Sequence, residues 1–198
     1  MQGLVKQLGQ LMALAIVMPV YLHLRLWYAL RPAAREQSFQ GHSQLMSLVP
    51  GLVGNFLRRA FYQRTLTRYS SDCCISFGTT FATADAIIGR GVYVGSHCNL
   101  GHVELQDDVL LGSGVMITSG KRQHFFKRLD IPIRLQGGEL TRVTIGYDSW
   151  LGNGSIVMAD VAPHAVVGAG AVVVSPVPER AIVAGNPAVV VSVREHRD

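Results

Sequence analysis

Residues 87–118, IIGRGVYVGSHCNLGHVELQDDVLLGSGVMIT, decide the fold. Within them an aliphatic residue followed by Gly or another small or polar residue recurs every six positions: Ile88-Gly89, Val94-Gly95, Leu100-Gly101, then after one five-residue step Leu105-Gln106, Leu111-Gly112 and Ile117-Thr118. The period resumes at Ile145-Gly146, Leu151-Gly152 and Val157, and after a short step at Val167-Gly168 and Val173. A hexapeptide period of this kind is a solenoid signature. Each hexapeptide reads as one short strand with its aliphatic residue turned inward, the small residue after it permitting a sharp corner. Three strands close a triangular turn, so Ile75 to Val191 predicts an all-β solenoid, a parallel β-helix of about five coils. Each coil covers only its neighbours, and that number is enough to bury a continuous core.

The period breaks once. Residues 121–142, KRQHFFKRLDIPIRLQGGELTR, carry six basic and two acidic residues together with Pro132 and the pair Gly137-Gly138. Nothing in them can continue the coil, so they are expected to protrude as a loop, and a long loop on a rigid scaffold is where function concentrates.

Upstream of the coil the texture is different. Residues 8–30 hold an apolar run from Leu11 to Leu22 that His23 and Arg25 interrupt before Trp27 and Tyr28. The run is shorter than the ~20 residues that cross a bilayer. With Lys6 before it, Pro19 inside it and aromatic and basic residues after it, it reads as a re-entrant or interfacial membrane anchor. A tilted span, a cleaved signal peptide, and a helix packed on this protein's own core or a sister subunit are the alternatives. Residues 51–68, GLVGNFLRRAFYQRTLTR, put Leu52, Phe56, Ala60 and Phe61 on one helical face and Arg58, Arg59, Arg64 and Arg68 elsewhere. That pattern suits an anionic membrane surface, or a solvated helix leading into the domain. The organisation expected is therefore a membrane-associated helical segment 1–70, a β-helix domain 71–193 with loop 121–142, and a tail 194–198.

Composition fits this division. Of 198 residues 48% are hydrophobic and only 16% charged, which excludes disorder as the main state. Three cysteines, two of them adjacent at Cys73 and Cys74, exclude a disulfide framework and a paired-CxxC zinc site, and fit a reduced, cytoplasmic setting. The net charge of +5 is uneven: +7 over residues 1–68, −4 over 69–120, +4 over the loop and −2 over 143–198. A basic leader and a basic loop on an acidic coil do not describe a nucleic-acid-binding protein. They suit anionic lipid and anionic phosphates or saccharide.

The hexapeptides, the single loop with a His near its start (SGKRQH), the re-entry IGYDSWLGNG and the closing VVGAGAVVV followed by VAGNPA resemble the left-handed β-helix acyltransferases. Within them the chain is most similar to the bacterial sugar O-acetyltransferases that decorate cell-surface and exported polysaccharides. The resemblance implies a left-handed coil, a homotrimer, acetyl-CoA in the groove between adjacent prisms, a saccharide acceptor meeting the thioester at the subunit interface, and no metal. With the N-terminal segment as its tether, the protein is expected at the cytoplasmic face of the cell membrane, beside lipid-linked sugars under assembly.

By the same resemblance His124 is the catalytic base. A neutral imidazole can take the hydroxyl proton, the alkoxide attacks the thioester, a backbone N–H steadies the oxyanion, and the imidazolium returns the proton to the thiolate. The carboxylate that orients it stays open among Asp107, Asp108, Asp130 and Glu139. Trp150 is expected at the hexapeptide corner after the loop, near the acceptor and the pantetheine arm, with Lys121, Arg122 and His102 also on the acceptor and His102 the reserve base. Gly152, Gly154, Gly170 and Ala171 are expected to leave backbone groups accessible to pantetheine. Gly185, Asn186, Pro187 and Ala188 are expected at the nucleotide end, with Arg194 and Arg197 on coenzyme A phosphates. Two alternatives stand beside this reading: the His97-x4-His102 spacing resembles part of the metal site of γ-class carbonic anhydrases, although no third coil His precedes it, and a non-catalytic coil can scaffold a polysaccharide-assembly complex. His23, His42, His164 and His196 are assigned no role.

Overall fold

The computed structural model describes residues 2–195, with side chains from residue 7 onward; His196 and Arg197 of the expected tail lie outside the described residues. Three helices come first: α1 (Gln2–Leu30), α2 (Arg35–Ser47) and α3 (Gly51–Thr65). Proline punctuates them, Pro32 following the end of α1 and Pro50 standing in extended conformation before α3. Pro19 does not break α1, which runs on as one helix.

The rest is a parallel solenoid with three faces. Sheet A holds Arg68–Tyr69, Ile87–Ile88, Val103–Leu105 and Val143–Ile145, continued by single bridges at Val161 and Val177. Sheet B holds Cys74–Ile75, Tyr93–Val94, Leu110–Leu111, Trp150–Leu151, Val166–Val167 and Ala181–Ala184. Sheet C holds Thr80–Phe81, Asn99–Leu100, Met116–Ile117, Ile156–Val157 and Val172–Val173. The coil makes about six turns, not five. It starts at Arg68 rather than Ile75, and its turns shorten, Tyr69 pairing with Ile88, Val94 with Leu111 and Leu151 with Val167.

The inner column is aliphatic, with Ile75, Val94, Leu111, Leu151 and Val167 buried one above another on sheet B. The glycines after these residues have a different reason from the one expected. A Cβ on Gly95 would lie 2.5 Å from the carbonyl carbon of Gly112 in the next turn, so close stacking of successive turns keeps Gly there. The left-handed corner falls two or three residues later, at His97, Asp108, Gly114, Asp148, Gly154 and His164.

The helices close the open end of the solenoid. The first strand of a parallel stack leaves a row of unpaired backbone groups. Here Gly78 N donates to Ser47 O, Phe81 N donates to Ser43 Oγ, and Gln40 Nε2 donates to Ala82 O. On sheet B, Arg58 donates to Ile75 O and Arg59 to Cys73 O. Arg58 is fully buried and also reaches Met46 O, Val49 O and Asn55 Oδ1. The expectation that α3 turns its arginines away from the interior is therefore corrected at Arg58, which is an interior clamp, while Leu52 of the apolar face is exposed. Phe39, Phe61, Tyr62 and Phe81 pack ring to ring in the seam. The other end of the coil is closed by an antiparallel strand, Val189–Val193.

α1 packs on α3 and α2 through Ala13, Val17 and Leu24. Its opposite side shows Leu11, Met12, Ile16, Leu22, Leu26 and Leu30, each more than half exposed. By length and composition the stretch Gln7–Leu30 is enough to cross a membrane.

Candidate functional site

The sheet register assembles the site. Ile87 pairs with Glu104 and Val103 with Val143, so the residues that enter sheet A at three successive turns, Asp85, His102 and Arg142, stand one above another on the edge between sheets C and A. Their side chains meet. Asp85 Oδ2 lies 3.0 Å from His102 Nε2, Arg142 Nε donates to the same nitrogen at 3.1 Å, and Arg142 Nη2 donates to Asp85 Oδ1 at 3.0 Å. Burial works to raise the Asp85 carboxyl, but the Thr67 hydroxyl and the charges of Arg142 and His102 outweigh it and hold the carboxyl below its ordinary range.

This cluster opens into a cavity of about 390 Å3 between α2, the coil and the foot of the loop, lined among others by Glu36, Gln40, Asp85, His102, Ser119 and Gln123. A saccharide ring fits a space of this size. The loop leaves the same edge and is internally braced. Phe125 N donates to Gly137 O, Glu139 N to Arg122 O and Thr141 N to Ser119 O, so its two arms run back along each other. His124 sits in the outgoing arm, directly after the cavity residue Gln123, and is exposed, with no hydrogen-bond partner among the described residues. None of the four carboxylates expected as its partner reaches it. Asp107 pairs with Arg90, Asp130 with Arg128 and Glu139 with Arg122, and Asp108 forms a left-handed corner between sheets A and B. Arg122 itself also stacks on Phe125, and Lys121 is exposed at the loop's foot.

The residues expected on coenzyme A gather on a second edge, between sheets B and C. Gly152, Gly154, Gly170 and Ala171 lie at its stacked corners, with Gly185, Asn186 and Pro187 in the turn above. Their N–H groups are engaged within the coil: Gly154 N donates to Ser113 O, Gly170 N to Asn153 O, Gly152 N to Val167 O and Ala171 N to Gly168 O. What the column offers is room, since a Cβ on Gly154 or Gly170 would meet nothing within 4 Å. Arg194 is on the third edge, between sheets A and B, where it donates to Asp148 and to His164 O. His164 in turn meets Asp148 at 2.9 Å, and this hydrogen bond, then Arg194, holds the Asp148 carboxyl low. Trp150 is not at a corner. It faces outward from the middle of sheet B, in an exposed row with Tyr93 and Leu110.

His97 forms a B–C corner and His102 stands on the C–A edge, so the pair that resembled part of a metal site does not converge. His23 and His42, remote in sequence, do meet: Trp27 Nε1 donates to His23 Nε2, His23 Nδ1 lies 2.9 Å from His42 Nε2, and His42 Nδ1 reaches Ser38 O.

The sequence matches no protein-family model and no curated protein. The fold has clear counterparts among solved structures. A maltose O-acetyltransferase from Clostridium difficile 630 superposes with a TM-score of 0.67 at 18% identity, over 81% of this chain and 89% of that one. A hexapeptide-repeat acetyltransferase from Vibrio cholerae, solved with acetyl coenzyme A, gives 0.61 at 19% identity over 85% and 92%. AntD, an N-acyltransferase from Bacillus cereus solved with dTDP and 3-hydroxybutyryl-CoA, gives 0.54 at 16% identity over 66% and 85%.

Proposed function

We propose that the protein is an acyl-CoA-dependent O-acyltransferase that moves an acyl group, acetyl by preference, onto a saccharide hydroxyl of a cell-surface or exported polysaccharide or glycolipid. The observation that carries this reading is the cavity on the C–A edge, where His102 and Asp85 face the foot of the one loop and His124 follows directly from its lining. The coil shared with structures solved on acyl-CoA ligands supports the donor class.

In this reading His102 holds the acceptor and His124 takes the hydroxyl proton. The hydroxyl oxygen then bonds to the acyl carbon, the carbon–sulfur bond breaks, and the His124 imidazolium returns its proton to the departing thiolate. The donor lies along the open column at Gly154 and Gly170, with Trp150 and its apolar row beside it.

A single chain separates these parts, because the glycine column and the His cavity lie on different edges of the prism. A homotrimer closes the gap by setting the column of one subunit against the cavity of the next. The loop supports this, since its tip carries Phe126 and Leu129 exposed to 69% and 99%, an apolar surface suited to a sister subunit. The outward stripe of α1, flanked by Trp27, Arg31 and Arg35, suits the cytoplasmic surface of the membrane.

Incubation of the full chain with acetyl-CoA and a panel of saccharides, read by mass spectrometry of the sugars, tests the reading. An acetylated sugar that forms only with enzyme and donor is expected, and failure of every acyl-CoA to lose its acyl group would overturn it.

A further inference from the structure

The cavity at His102 adjoins a second one along the seam between leader and coil. That second space, about 530 Å3, is lined by residues including Arg25 and Tyr28 of α1, Arg35 and Glu36 of α2, Arg64 of α3, and Asp85. The two share Glu36, Thr83 and Asp85, so they lie side by side as one groove only where these residues meet, with the His102–Asp85 pair facing the first and three guanidinium groups lining the second. Elsewhere Arg90, Arg122, Arg128, Arg142, Arg180 and Arg194 each have a carboxylate within 4.0 Å, whereas Arg31, Arg58, Arg59, Arg68 and Arg134 have none among the described residues. The groove arginines have none either, and they are the ones that line a common space. Arg25 donates to Tyr21 OH, Arg64 to Ala60 O, and Arg35 stacks on the Tyr28 ring at 4.8 Å. The acids in the groove do not neutralise them, because Asp85 is engaged by Arg142 and Glu36 stands where the two spaces join.

We propose that this groove binds a phosphorylated saccharide, a glycosyl phosphate or diphosphate, with the phosphate on Arg25, Arg35 and Arg64 and the acceptor hydroxyl at His102. Three guanidinium groups left with spare donors match the charge and the fork geometry of phosphate oxygens. Glu36 accepts from sugar hydroxyls between the two ends. The inference rests on the acyltransferase reading for the reaction, and on the groove alone for the anion.

Titration of the full chain with inorganic diphosphate, followed by calorimetry, tests the anion subsite directly. Diphosphate is expected to bind, to weaken roughly tenfold or more in the double variant Arg25→Gln/Arg35→Gln, and to bind Arg90→Gln, the same kind of charge change on another edge, as it binds the parent. Two competitors distinguish the source: glucose 1-phosphate in solution, and a polyisoprenyl phosphate in phosphatidylcholine vesicles. Competition by either supports the groove and names the acceptor as soluble or lipid-linked. No diphosphate binding, binding indifferent to the arginine pair, or competition by phosphatidylglycerol vesicles alone would overturn it. Acetyl-CoA turnover in the same samples is read separately, so loss of turnover with intact diphosphate binding would count against the acyltransferase reading and leave the groove standing.

Discussion

Each buried residue of the coil has a counterpart one turn away, whereas no buried residue of the leader repeats another. Leu111 lies between Val94 and Leu151 and does what they do. Arg58 has no such neighbour; it alone holds four acceptors from α2, the α2–α3 turn, α3 and the first strand of sheet B. The difference separates two ways of ending a solenoid problem. The coil satisfies its own backbone by stacking, and the leader satisfies the backbone groups that stacking cannot reach. It also breaks the symmetry of the prism, since α2 walls one edge only, and that is the edge with the cavity.

Removing the clamp is expected to have the largest effect. Arg58→Leu strips donors from three buried carbonyls and an amide, at a cost of about 4 kcal/mol in thermal or denaturant unfolding. Hydrogen exchange is expected to rise first in α2, α3 and the first turn; a uniform rise along the coil would break the contrast between the two regions. Leu111→Ala is next, at about 3 kcal/mol, with its exchange centred on the neighbouring turns and the helices spared. Ser43→Ala is smaller. Its hydroxyl serves both Phe81 N and Tyr62 OH, and its loss is expected to cost about 1 to 2 kcal/mol while loosening the seam but not the coil.

The smallest effect is a pH dependence. Because the Asp85 carboxyl is held below its ordinary value of 3.8, its contribution to stability is present above that value and fades as pH falls through the lowered one. Asp85→Asn is therefore expected to lower stability slightly and evenly near neutral pH, and the difference from the parent is expected to close as pH falls through the lowered value. A loss that persists undiminished in acid would mean that the pair is held by something other than its charge.

The coil could be read from the sequence because its period is set by geometry that every turn repeats. The leader's burial could not. Helical patterning assigns a charged residue such as Arg58 to the outer face by default, and only the unpaired carbonyls of the first strand turn it inward. The carboxylate beside His102 was within reach: Asp85 and His102 stand 17 positions apart, the same spacing as Val94 and Leu111, so turn arithmetic alone stacks them on one edge. It is not among the four carboxylates expected beside His124. Trp150 was misassigned to a corner because the left-handed residue of its turn is Asp148, and there, as at His97, Asp108 and His164, no Gly marks the corner.

The division of labour between the two histidines decides the proposed chemistry most directly. Steady-state rates of coenzyme A release are to be compared for the parent, His124→Ala and His102→Gln on one active acceptor. His124→Ala is expected to lower kcat by roughly a hundredfold to ten-thousandfold, as loss of a general base does, and His102→Gln to act chiefly by raising KM for the acceptor. Full turnover in His124→Ala, with turnover abolished in His102→Gln, would contradict it.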